Sequence, residues 1–119
     1  MFTQGEATEV DQPVTLLQNG AMNRETALAH LRPMETDLRR QGLSALFLFG
    51  SVARDEASTS SDVDLLFDVP ADVRFSLFDQ ARIQSDLADA LHVGVDLVPL
   101  EALKPNLRAR IEAEMVRVF

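Results

Sequence analysis

Gly50-Ser51, a gap of ten residues, and then Asp62-Val63-Asp64 constrain this chain more than any other feature. Both pieces lie in the stretch LFLFGSVARDEASTSSDVDLLFDV, which begins at Leu46. An apolar run from Leu46 to Phe49 ending in Gly-Ser predicts a buried strand closed by a tight turn. The second apolar run opens at Asp62 and Asp64 and predicts another strand. Side chains alternate along a strand, so residues i and i+2 share a face, about 6–7 Å apart at Cα. Two anions held that way repel and raise each other's pKa unless a cation lies between them. Mg²⁺ suits the position, because it binds through one or two carboxylates and fills its remaining sites with water and phosphate oxygens. The plainer alternative is a solvated junction between loop and strand. Asp is depleted in strands, so two at a strand start call for a reason.

The rest of the chain alternates helices with strands. Residues 1–22 are acidic, contain no Lys or Arg, carry Gly5, Pro13 and Gly20, and read as a flexible extension with one short ordered piece at Val14 to Leu17. Residues 23–119 read as a single domain. Asn23 is the expected N-cap of a helix marked by Leu28, Leu31 and Leu38 and stopped at Gly42. Pro33 lies inside it and should kink or split it. Strands follow at Leu43 to Phe49, Val63 to Val69 and Val93 to Val98. A short helix is expected over Ser51 to Asp55, and an amphipathic one from about Arg74 to Leu91. Pro105 starts a last helix with the stripe Leu107, Ile111, Met115 and Val118. The order α-β-α-β-α-β-α predicts an α/β (α+β) fold, a small mixed β-sheet with flanking helices.

Charge and composition remove several classes of function. A net charge of −8 argues against direct nucleic-acid binding, which needs a basic surface. An acidic chain that binds an anionic nucleotide needs a bridging metal and backbone donors. There is no Cys, so disulfides and thiolate metal sites are excluded, and no Tyr. No apolar run reaches the ~18–20 residues of a membrane span. No basic segment followed by an apolar one marks a secretory signal, so a cytoplasmic location is expected.

Asp96 stands among Val95, Leu97 and Val98. A carboxylate so flanked in a central strand is costly unless paired. Facing Asp62 and Asp64 from a neighbouring strand, it would complete a metal cage, or hold or deprotonate an acceptor hydroxyl. The alternative is an edge-strand Asp facing water. Asp68 shares the parity of Asp64 but lies about 13 Å along the strand, so it reads as an exposed strand-end residue. Gly50 permits close backbone approach, and N–H groups at a following helix start favour anions. Ser51 adds a hydroxyl. Arg54, one turn on, either reaches phosphate oxygens or pairs at the surface with Asp55, Glu56 or Asp62. Ser61 is placed to cap or orient Asp62. His30 and His92 lack metal-type spacing and receive no catalytic role.

The stretch resembles the nucleotidyltransferase signature of the DNA polymerase β-like superfamily, and more narrowly the minimal nucleotidyltransferase (MNT) family. Gly50, Ser51, Ala53, Arg54, Glu56, Ser61, Asp62, Asp64 and Leu65 carry the match, and Gly94-Val95-Asp96-Leu97-Val98 fits the third carboxylate strand. One position departs: Asp55 stands where Gly is frequent, adding charge beside the expected phosphate site. The resemblance implies the polymerase β-like fold and Mg²⁺-dependent transfer of AMP from ATP. Asp62, Asp64 and Asp96 would be catalytic and metal-binding, two Mg²⁺ ions would be held, and Gly50, Ser51, Arg54 and Ser61 would grip the nucleotide. It also implies a partner, since MNT proteins commonly act as antitoxins to HEPN ribonuclease toxins, which they bind and adenylylate on a tyrosine. A hetero-oligomer with such a toxin is expected, with Phe75 and Phe78 as candidate contacts. Two rivals are an antitoxin that masks its toxin by binding alone, and a nucleotidyltransferase acting on small molecules.

Overall fold

The structure is a computed structural model and describes residues 22–59 and 61–119. The ordered piece expected at Val14 to Leu17 lies outside the described residues. Helix α1 spans Arg24–Leu31 and is capped as its sequence demands, with the Asn23 side chain accepting from the Thr26 N–H. Pro33 does divide the first helical segment: a 3₁₀ turn over Arg32–Met34 separates α1 from α2, Glu35–Arg40. Gly42, at φ +118°, ends it in a conformation that only glycine adopts without strain.

Strand β1 (Ala45–Phe49) runs into the short helix α3 (Gly50–Ala53), and β2 (Val63–Asp68) follows. Helix α4 covers Leu77–Leu91. It starts later than the apolar spacing predicts, because Ser76 and Asp79 form a reciprocal capping box that fixes its first turn. Strand β3 is Val95–Pro99, α5 is Pro105–Glu112, and β4 is the two-residue strand Val116–Arg117. The last of these corrects the expected apolar stripe. Met115 and Val118 lie beyond the end of α5, and Val118 is buried beside the added strand instead of on a helix face.

The four strands form one mixed sheet in the order β3-β2-β1-β4. β1 is antiparallel to β2 and β4, and β2 is parallel to β3. Strand alternation gives the sheet two different faces. Leu46, Leu48, Val63, Leu65, Phe67, Val95 and Leu97 project into the core with Ala27, Leu31 and Leu38 and with Ile83, Leu87 and Leu91 of α4. Truncating one of the fully buried leucines, such as Leu65, to Ala would cost about 2–5 kcal/mol. The opposite parity places Phe47, Phe49, Asp64, Leu66, Asp96 and Val98 on the second face. Here the sequence expectation of a central strand for Asp96 fails: β3 is an edge strand. Its outer edge is covered at Leu97, whose N–H donates to Gln84 Oε1 at 3.3 Å and whose carbonyl accepts from Gln80 Nε2 at 3.0 Å.

Candidate active site

The register of the central strands assembles the site. Asp64 of β2 lies directly opposite Asp96 of β3, so both project from the second face. Asp62 sits two residues before Asp64, where the Val63 N–H donates to the Gly94 carbonyl at 2.9 Å. Three carboxylates thus gather at one end of two adjacent strands. Asp64 is half-buried, while Asp62 and Asp96 are exposed. The Asp64 carboxyl is pushed above its ordinary range by burial first, then by the charges of Asp96 and Asp62, with Arg54 pulling it partly back. This is the signature of an anionic cluster that lacks enough positive charge of its own.

Two glycines make room for it. A Cβ on Gly50 would collide with the Asp64 carboxylate, and one on Gly94 would collide with that of Asp62. Gly50 also has φ +75°, which a side chain would strain. Each carboxylate therefore rests in a cradle that exists only because a side chain is missing. Leaning on separate glycines, the acids do not already converge: among the described residues, no three His, Cys, Asp or Glu side chains form a ready-made metal cluster. The donor set itself, carboxylates on one face with open solvent beside them, suits a hard divalent ion.

The remaining residues singled out from the sequence fall around this cluster. Gly50 and Ser51 form the first turn of α3, whose leading N–H groups have no partner within the helix. Arg54 is held at the surface, with Nε donating to Glu56 at 3.0 Å and Nη1 to Glu114 at 3.1 Å. Of the alternatives open from sequence, the Glu56 pair is present, and Glu114 is an addition that no local pattern announced. The Ser61 hydroxyl accepts from the Ser58 N–H at 2.9 Å and closes the loop before Asp62. Asp68 is exposed at the far end of β2 and accepts from the Val69 N–H, away from the cluster. His30 bonds the Thr26 carbonyl in α1, and His92 ends α4 in a left-handed conformation.

The Asp55 charge is paired. The residue adopts φ +59°, a left-handed position that glycine fills without strain and Asp tolerates. Its side chain accepts from the Arg24 N–H at 2.8 Å and pairs with the Arg24 guanidinium at 3.5 Å. Gly94 reads from sequence only as part of the third strand motif, and its role as the cradle of Asp62 emerges in three dimensions. Phe75 packs on Phe67 with ring centroids 5.4 Å apart, whereas Leu77 and Phe78 are 81% and 84% exposed at the start of α4.

Known proteins resemble this chain in sequence and fold. The profile of the nucleotidyltransferase domain matches residues 31–118. MJ0435 of Methanocaldococcus jannaschii, provisionally named a protein adenylyltransferase, is 33% identical over 82 residues, covering 69% of this chain and 86% of its own. A solved structure described as a minimal nucleotidyltransferase is 36% identical, with a TM-score of 0.69 over 80% of this chain and 95% of its own. A chain from the complex of a tri-AMPylated Shewanella oneidensis HEPN toxin with an MNT antitoxin shares the fold, with a TM-score of 0.57, 20% identity, and 78% of this chain and 71% of that chain covered. The chain accordingly belongs to the nucleotidyltransferase domain family, as a minimal nucleotidyltransferase with the polymerase β-like fold.

Proposed function

We propose that this protein transfers AMP from ATP to a tyrosine hydroxyl of a HEPN-type toxin and so acts as its antitoxin, with Mg²⁺ held by Asp62, Asp64 and Asp96. The observation that carries the reading is the direct pairing of Asp64 with Asp96 on one face, with Asp62 two residues away and Gly50-Ser51 alongside. When bound, two magnesium ions held by these carboxylates would neutralise charge on the attacking and leaving oxygens. Asp62 and Asp64 would serve as ligands of that metal. Backbone N–H groups at Gly50 and Ser51 would receive the outer phosphates of ATP. Asp96 lies on the exposed edge strand, open to an incoming partner, and would take the acceptor proton. The acceptor oxygen forms a bond to the α-phosphorus, the bond to the β-phosphate oxygen breaks, and pyrophosphate leaves. With no Cys and no His at the cluster, direct transfer is favoured over a covalent enzyme intermediate.

The toxin partner is supported by the acidic charge of the chain and the apolar pair Leu77 and Phe78. Charge of −8 favours a basic partner such as a ribonuclease. Two large side chains over 80% exposed beside each other have no role in the core. A complex of antitoxin and AMP-bearing toxin among structures of this fold supports the same partner class.

The test incubates purified protein with its toxin partner, labelled ATP and Mg²⁺. Mass gains of AMP units on the toxin are expected, and should vanish in the Asp62→Ala/Asp64→Ala double variant. Neutralisation by that variant at full strength, without label transfer, would instead support masking by binding alone.

A further inference from the structure

Asp96 reaches the carboxylate face from an edge strand, so within the sheet it is held by β2 alone. A parallel ladder turns the polar groups of successive residues to opposite sides. The Gly94 carbonyl accepts from the Val63 N–H and so faces β2, whereas the N–H and carbonyl of Leu97 face away from it. Left open, that outer edge would leave Asp96 on a strand fastened along one side. Helix α4 closes it with two side chains one turn apart. The Leu97 N–H donates to Gln84 Oε1 at 3.3 Å, and Gln80 Nε2 donates to the Leu97 carbonyl at 3.0 Å. Residues four apart share one helix face, and Ile83, Leu87 and Leu91 fill the core beside them. Both glutamines are half-buried, and polar side chains persist at such a helix–sheet contact where partners satisfy them. Among the described residues, no other hydrogen bond ties β3 to a helix.

We infer that Gln80 and Gln84 are positioning residues for Asp96, holding the edge strand so that its carboxylate stays opposite Asp64 and can share metal with it. The inference rests on the nucleotidyl-transfer reading and extends it from the carboxylates to α4. The glutamine pair stands in for a neighbouring strand, with one acceptor and one donor set against the N–H and carbonyl of a single residue. The backbone fixes which amide group does which, because an N–H only donates and a carbonyl only accepts. Gln84 is therefore needed as an acceptor and Gln80 as a donor. The buried Leu97 side chain already anchors β3 in the core, so the two hydrogen bonds set the orientation of its outer side. Asp96 is the next residue back along the strand and turns with it.

A charge-matched pair of variants tests this. Gln84→Glu keeps an acceptor for the Leu97 N–H, whereas Gln80→Glu puts a second acceptor where a donor is needed. Both add the same charge to the same helix face. Mn²⁺ titration with AMP-PNP present, followed by electron paramagnetic resonance, reads the ions, and the one lost in Asp96→Asn identifies the ion that depends on Asp96. Gln80→Glu and Gln84→Ala should weaken that ion about tenfold, as loss of a group supporting a metal ligand typically does, and leave the other ion unaffected. Gln84→Glu should bind both ions as the wild type does. In metal-free protein, amide hydrogen exchange at Leu97 should quicken in Gln84→Ala and return to the wild-type rate in Gln84→Glu. Equal effects of the two Glu variants overturn the inference, as does a loss spread equally over both ions. Wild-type affinity for both ions in Gln80→Glu also overturns it, and would leave the glutamines as cover for the strand edge alone. Wild-type protein that binds no Mn²⁺ refutes the nucleotidyl-transfer reading itself, and the positioning role with it.

Discussion

Gly50→Ala and Gly94→Ala form a matched pair that separates the fold from the site. At Gly94 the new methyl would meet the Asp62 carboxylate, with Cγ at 3.1 Å and the farther oxygen at 3.6 Å. Asp62 is exposed and can swing away, and Gly94 does not occupy a left-handed conformation. Folding stability should change by under about 0.5 kcal/mol, as for other surface substitutions. The displaced carboxylate can no longer share an ion with Asp64, and loss of such a support typically costs about 10–100-fold in metal affinity. At Gly50 the methyl meets the half-buried Asp64, with Cγ at 3.1 Å, and the backbone must also hold φ +75°. Left-handed geometry costs a non-glycine residue roughly 1–2 kcal/mol. That corresponds to a melting temperature lowered by about 4–15 °C in a domain of this size. Calorimetric titration with Mn²⁺ in the presence of AMP-PNP, beside thermal melts, reads both quantities. Gly94→Ala should lose metal affinity at constant melting temperature, and Gly50→Ala should lose both. Wild-type Mn²⁺ affinity in Gly94→Ala would refute the claim that these glycines set the carboxylates.

Three further outcomes follow from the same contacts. Asp64 holds a proton more tightly in the folded chain than in the unfolded one, so metal-free stability should fall as pH rises from the unfolded carboxylate value through the raised folded one. Asp64→Asn should therefore abolish nucleotidyl transfer yet melt higher than wild type at neutral pH without metal, and urea titrations from the ordinary carboxylate range upward should show a flatter profile. Asp55→Gly removes an exposed ion pair and an exposed hydrogen bond to the Arg24 N–H and relieves a left-handed residue, so ATP affinity should stay within about a factor of two by calorimetry. Ser76→Ala breaks the capping box of α4 and should cost about 1 kcal/mol, seen as a melting temperature lower by about 4–8 °C with ATP affinity unchanged.

Local chemistry made much of this architecture readable from residues alone. Asn23, Pro33, Gly42 and Pro105 punctuate the helices where backbone physics requires, and the strand around Val63 to Asp68 was plain from its apolar run. The shared face of Asp62 and Asp64 followed from period-two geometry. What escaped depends on contacts distant in sequence. Whether Asp96 lies on a central or an edge strand is decided by strand order, which no local pattern encodes, and β3 falls at the edge with α4 glutamines covering it. Strand Val116–Arg117 is only two residues long and is created by pairing with Phe47 and Leu48. The Arg54–Glu114 pair joins residues sixty positions apart, and the direction of Asp55 depends on Arg24 being close by.

The central claim is that carboxylates from two neighbouring strands share bound metal, and counting ions tests it most directly. Mn²⁺ titration followed by electron paramagnetic resonance, with AMP-PNP present, should register a pair of ions in the wild-type protein. Asp96→Asn should retain one ion and lose the other while melting like the wild type. An Asp96→Asn protein that still binds the full complement with unchanged affinity would contradict the account.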